Sequence, residues 1–303
     1  MSENIAHIAL LNDGLRLLLA SASITESFHY TAREQVAVCR LGSITRWGDR
    51  FTVGLLERIR DEWPDAEKRP EASKRLAFVI GWMSHRAADR QVKPLLREVE
   101  PEPLGKPREC TIYHDAVVYR NVFQNQPDDP YAGVFDAAAK VAIDAKPEMA
   151  RASQLAETLL QAQLIRLHTF IPEPDDVWAW IGNVSSRIQH FQDSLPRYAK
   201  AILDPDPELW RKFVEEPNYY DSEDPIVAQA RALENEHAMQ VPMQSTDPLA
   251  NLVVDAHSHY GQALQLGLTY MVAASRFFDR EISAEDLHEA FKIGVPGRDG
   301  LGV

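Results

Sequence analysis

Cysteine is scarce: Cys39 and Cys110 are the two in 303 residues, and neither has a CxxC partner. That excludes the disulfide framework of small secreted domains and leaves two thiols on segments that read as amphipathic helices, expected to be reduced and in a core. Long apolar runs are missing too. The longest, Ala77 to Met83, falls far short of the ~20 residues a membrane span needs. The first residues, MSENIAHIALLND, have no basic leader region and no cleavable apolar stretch, so a cytoplasmic, untethered protein is expected. Positive charge is in deficit: 32 Lys plus Arg against 45 Asp plus Glu give a net charge of -13. The resulting field repels phosphate backbones and anionic lipid, so nucleic acid is not an expected partner except through a local metal. No Walker loop, dinucleotide fingerprint or nucleophile elbow is present, and covalent Ser or Cys catalysis has no specific support.

Strand-like alternation is also lacking, whereas helical periodicity runs almost throughout. Ile8, Leu11, Leu15 and Leu18 repeat at three and four, as do Val177, Ile181, Val184, Ile188, Phe191 and Leu195. Asp206-Pro207, Asp224-Pro225 and Asp247-Pro248 read as a capping side chain before a first-turn proline, and Ser283 to Asp286 as a capping box. The pattern predicts an all-α multi-helix bundle with helices over 3–20, 31–43, 50–62, 70–97, 108–125, 130–145, 147–171, 174–203, 206–216, 223–240, 247–280 and 283–292. The polar, proline-rich segments 98–107, 125–130 and 216–225 are the candidate boundaries or long connections. A single domain over 1–292 is expected, followed by a mobile glycine-rich tail, 293–303.

One segment carries most of the chemistry. KRLAFVIGWMSHRAADRQVKPLL, Lys74 to Leu96, is apolar on every side of a helix from Ala77 to Met83 and must be central in the packing. His85 and Asp89 follow at a spacing of four, on the face that carries Phe78 and Trp82. Burying an imidazole and a carboxylate there requires that each find a partner. Either they bond each other as a satisfied core pair or they share a metal ion, for which helical i, i+4 pairs commonly supply two ligands. Lys93 continues the same face, either as a solvated cation near the helix end or as a charge that replaces a metal's or meets a substrate phosphate.

The run AFVIGWMSHRAADRQVKPLL resembles the central helix of the zinc-dependent phospholipase C family: an apolar stretch with glycine, then His, three residues, Asp, a few more, and a proline. AHIALLNDGL, with His7, and RLGSITRWGDRF, ending in a glycine-led turn at Asp49, fall in the matching order, so the resemblance covers roughly residues 5 to 125, with the helices of 130–292 as additions. It implies an all-α phospholipase C-like core whose zinc cluster activates water against a phosphodiester. His85 and Asp89 would be metal ligands, His7 would join a metal shared with Asp89, and Asp49 would orient or deprotonate the water. The chain departs from the pattern at three places. Lys93 stands where the family's second histidine precedes proline, no histidine lies between Asp49 and His85, and ECTIYH, Glu109 to His114, replaces a later His and Glu pair. Too few ligands remain for three zincs.

Further ligands are sought among His114 and the pair Asp255 and His259. His114-Asp115 superficially matches the order of the HD phosphohydrolases, but adjacent residues on a helix diverge by ~100°, so His114 is the one carried forward. Asp255 and His259, four apart on a helix, share a face, whereas His257 and His259 do not. Two readings follow. The first is a metal-dependent hydrolase of a small-molecule or lipid phosphate ester, using zinc or another divalent transition metal. The alternative is a metal-free, non-catalytic descendant of the same fold, in which Lys93 completes a polar network and the protein serves as a binding or assembly module.

Overall fold

The structure is a computed structural model that describes residues 4–44, 52–101, 108–124, 126, 193–239 and 256–294. Every regular element among them is a helix, as the periodicity predicts. In chain order these are α1 (Asn4–Ala20), α2 (Glu26–Glu34), α3 (Val36–Ile44), α4 (Thr52–Glu62), α5 (Arg69–Val99) and α6 (Glu109–Val118), then α7 (193–203), α8 (Pro207–Trp210), α9 (Pro225–Met239), α10 (His259–Phe278) and α11 (Ala284–Ala290). Both α6 and α8 run on into π-helical turns, Tyr119–Phe123 and Arg211–Glu215. No helix among the described residues is long and apolar enough to cross a membrane. The expected helices over 130–145 and 147–171 lie outside the described residues, as does most of 174–203.

Two expected helices need correction. The segment 31–43 is not one helix: Gln35 leaves the helical region (φ -124, ψ 32) and separates α2 from α3. The helix expected over 247–280 begins only at His259, because Ser258 is extended and its hydroxyl accepts the Gly261 N–H as an N-cap. The capping residues otherwise act as read. Asp206 accepts from the Glu208 and Leu209 amides, and Ser283 with Asp286 makes a reciprocal capping box. Asp224, expected to cap the helix after it, does more. Its buried carboxylate accepts from the Ile226 amide and also from the His257 amide, the Ser258 amide and the Ser258 hydroxyl. Gly261 has to be glycine for this, since a Cβ there would lie 2.2 Å from Asp224 Oδ2.

The chain divides into two compact units, one built mainly from Val99–Glu216 with Glu3–Ala6, the other from His7–Glu98 and Pro217–Val303. The divisions at 98/99 and 216/217 fall beside the proline-rich segments 98–107 and 216–225, while a further one falls within α1, between Ala6 and His7. In the first unit, Asp115 is fully buried and accepts from the Ala6 amide at 2.7 Å and the Tyr198 hydroxyl at 2.7 Å. The Ala6 N–H belongs to the first turn of α1, where amides lack helical acceptors, so the carboxylate serves as that turn's partner. Tyr113 packs edge-on against Trp210 and Phe213, which places Trp210 in ordinary packing.

In the second unit, α5 is the central element. Residues Ala77 to Met83 are buried on all sides, as the absence of polar side chains there requires. α3 approaches α5 closely. A Cβ on Gly81 would lie 1.9 Å from the Cys39 carbonyl oxygen, and one on Gly42 would lie 2.2 Å from that of Phe78, so the two helices cross with backbone against backbone. Cys39 sits in this contact, fully buried, and burial pushes its thiol up to about 12, so it is an inert core side chain. α10 approaches α5 at Gly267 and Ala87. Phe291, just after α11, lies edge-on to both Trp82 and Tyr270. A second polar anchor holds α1: Asp13, fully buried, accepts from Arg16 at 2.6 Å, Arg231 at 2.8 Å and the Tyr260 hydroxyl at 2.8 Å.

The crossing predicts opposite signs for one substitution at two glycines. Gly81→Ala forces α3 off α5 and is expected to cost at least the ~1–3 kcal/mol of core overpacking. Gly54→Ala, at an exposed position of α4 with nothing within 4 Å, is expected to stabilise by ~0.5–1 kcal/mol through helix propensity. Urea denaturation of both variants checks the pair, and a Gly81→Ala protein as stable as wild type contradicts the crossing.

Candidate metal centre

The crossing of α3 and α5 decides the state of His85. α3 ends at Ile44, and near that end the Ser43 carbonyl lies 2.9 Å from His85 Nδ1. A carbonyl oxygen only accepts, so Nδ1 must carry the proton and donate it. In neutral imidazole the lone pair is then on Nε2. That atom is buried without a hydrogen-bond partner of good geometry and faces Asp89, 3.3 Å from Oδ2. A ligating histidine held by a backbone carbonyl through its other nitrogen is the usual outer arrangement of a metal site.

α1 supplies the third member. His7, 2% exposed, brings Nε2 to 3.9 Å from Asp89 Oδ1, and its ring centroid lies 4.7 Å from that of His85. One ligand atom from each of His7, His85 and Asp89 lies within 4.8 Å of the others, the one such group of three among the described residues. Asp89 is 14% exposed and also takes an ion pair from Lys93, one turn further along α5 and 47% exposed. Burial alone would raise the Asp89 carboxyl, but His85 and His7, which carry charge only when protonated, and the Lys93 ammonium outweigh burial and hold it well below the usual carboxylate range.

The donor set fits one ion. Two imidazole nitrogens and a carboxylate oxygen, converging from two helices, match in kind and number the three protein ligands that a mononuclear centre with open positions uses. They do not make a cluster of three. The remaining expected residues fall elsewhere or outside the described residues. His114 is fully buried in the first unit, where its Nε2 meets the Phe213 carbonyl at 2.9 Å and the Cys110 sulfur at 3.3 Å. His259 is the first residue of α10 and its amide donates to the Asn218 carbonyl. Residues 256–258 are not helical, so α10 does not extend back from His259 through them. Asp255 and Asp49 lie outside the described residues. Sequence reading passed over the buried carboxylates Asp13 and Asp115 as structural anchors. For Asp13 a signal was available, since Arg16 follows at a spacing of three on an otherwise apolar helix.

Comparison with family models, with curated proteins and with solved structures finds no match.

The geometry of the site makes a pH prediction for the metal-free protein. A carboxyl held below its ordinary value adds stability above the unfolded value of about 3.9 and loses it as the pH falls through the lower folded value. Asp89→Asn is expected to lower stability by ~1–3 kcal/mol at pH 7, with the gap closing below roughly pH 4. Denaturation of both proteins across pH 3 to 7, approximate limits set by that same linkage, checks this; a gap that widens on acidification contradicts it.

Proposed function

We propose that the protein is a metal-dependent hydrolase of a phosphate ester, working with a single divalent transition ion held by His7, His85 and Asp89. The observation that carries the reading is the convergence of ligand atoms from two buried histidines and the part-buried Asp89, with His85 Nδ1 engaged by Ser43 O. In the neutral ring this leaves the Nε2 lone pair turned toward the Asp89 carboxylate, the arrangement a shared ion would bridge. An ion bound there supplies Lewis-acid polarisation of a phosphoryl oxygen and lowers the pKa of water, which the side chains alone cannot do at neutral pH. The chain's own residues hold and orient: the Ser43 carbonyl fixes the His85 tautomer, and Asp89 adds the negative charge that a dication needs. Lys93, half-exposed at the edge of the site, suits an anionic ester. Asp49 is the residue proposed to orient or deprotonate the water, as the phospholipase C resemblance implies.

One observation favours a second reading, the metal-free binding or assembly module. Lys93 already neutralises Asp89, so the polar group can persist without an ion.

Metal content separates the two. Protein prepared without a metal-affinity step is expected to hold about one equivalent of a transition metal per chain, the count set by the single three-ligand group. His85→Ala and Asp89→Asn are expected to lose it together with hydrolysis of an aryl phosphodiester, while circular dichroism confirms that both remain helical. Protein that takes up no zinc, manganese or iron at saturation contradicts the hydrolase reading.

A further inference from the structure

We infer that Lys93 is a built-in competitor for the metal, an ammonium that occupies Asp89 when the site is empty and must leave it when an ion binds. This rests on the metal-centre reading above and concerns how that site is controlled. The two Asp89 oxygens have different neighbours. Oδ1 faces His7 Nε2 at 3.9 Å, whereas Oδ2 faces His85 Nε2 at 3.3 Å and also receives the Lys93 ammonium. The oxygen best placed to share an ion with His85 is therefore the one Lys93 holds. An ion within coordination distance of that oxygen, ~2 Å, would lie within about 5 Å of a hydrogen-bonded ammonium. Like charges that close, beside groups 2–14% exposed, repel far more than they would in water.

The lysine is suited to leaving. Its side chain is 47% exposed, while the carboxylate it holds is 14% exposed. A four-carbon stem on the helix surface can carry the ammonium from Oδ2 into solvent by rotamer changes alone, with its charge solvated at the end. The histidines have no such freedom, since His85 is fixed by Ser43 O and His7 is 2% exposed. Among the described residues, competition for Asp89 thus falls on Lys93, the half-exposed cation paired with it. With the lysine on Oδ2 the site keeps a neutralised, ionised carboxylate, and with an ion bound the freed ammonium stands at the rim.

Cobalt(II) titration followed by its visible absorption, then displacement by zinc, tests the assignment on the full chain. Lys93→Met, which keeps the stem and removes the charge, is expected to bind cobalt at least tenfold more tightly than wild type. Lys93→Arg, which keeps a cation, is expected to stay within a few-fold of wild type. Equal or weaker affinity in Lys93→Met overturns the competition and leaves the metal centre standing. Absence of cobalt binding in wild type, Lys93→Met and Lys93→Arg alike overturns the metal centre and the competition with it. Lys93 is on the surface of α5, so neither substitution removes a packed side chain.

Discussion

The backbone contact between α3 and α5 is the constraint from which the candidate site follows. Two glycines, Gly42 and Gly81, let the helices approach until carbonyl oxygens occupy the space a Cβ would fill. Only at that separation can Ser43, one residue beyond Gly42, offer its carbonyl to His85, one turn beyond Gly81. The hydrogen bond fixes the proton on Nδ1 and the ring plane, and in the neutral ring it leaves the lone pair on Nε2, so a packing detail between two helices selects the tautomer of an imidazole. Everything proposed for His7, Asp89 and Lys93 takes that nitrogen as its reference point.

The polar groups of this protein are sorted by how they are satisfied. Asp13, Asp115 and Asp224 are fully buried carboxylates, and each accepts from several donors: guanidinium groups and a tyrosine, an amide and a tyrosine, or amides and a serine. Such groups anchor helices and have no capacity left for a ligand. Asp89 differs. It is partly exposed, one of its partners is a half-exposed lysine, and the histidines face it at 3.3 and 3.9 Å. Exchangeable satisfaction at one place, among saturated carboxylates elsewhere, is what marks that place for binding.

Much of this was legible in the sequence, for physical reasons. The apolar run Ala77 to Met83 could be nothing but a buried helix, and the i, i+4 spacing put His85 and Asp89 on one side of it. Capping chemistry at Asp206, Asp224 and Ser283 is local and reads directly. The meeting of His7 with the pair was expected from the phospholipase C resemblance; spacing alone could not supply it, because 78 positions separate His7 from His85. What stayed hidden depends on distant contacts. The role of Ser43 needs the helix crossing, and the double use of Asp224 needs the start of α10 to return beside it. The late start of α10 was missed because the apolar periodicity of NLVVDAHSHYGQAL runs through an extended cap that only Ser258 reveals. His114 looked like a ligand because a buried histidine in sequence does not disclose that a carbonyl, Phe213 O, already holds it.

The most direct test of the central claim is the tautomer of His85. Long-range proton–nitrogen correlation spectra of protein labelled at the histidine ring nitrogens, recorded at neutral pH with and without zinc, resolve which nitrogen bears hydrogen. The account predicts a protonated Nδ1 and a bare Nε2 for His85, with the Nε2 resonance moving when zinc is added. A proton on Nε2, or an Nε2 resonance that zinc leaves in place, would contradict it.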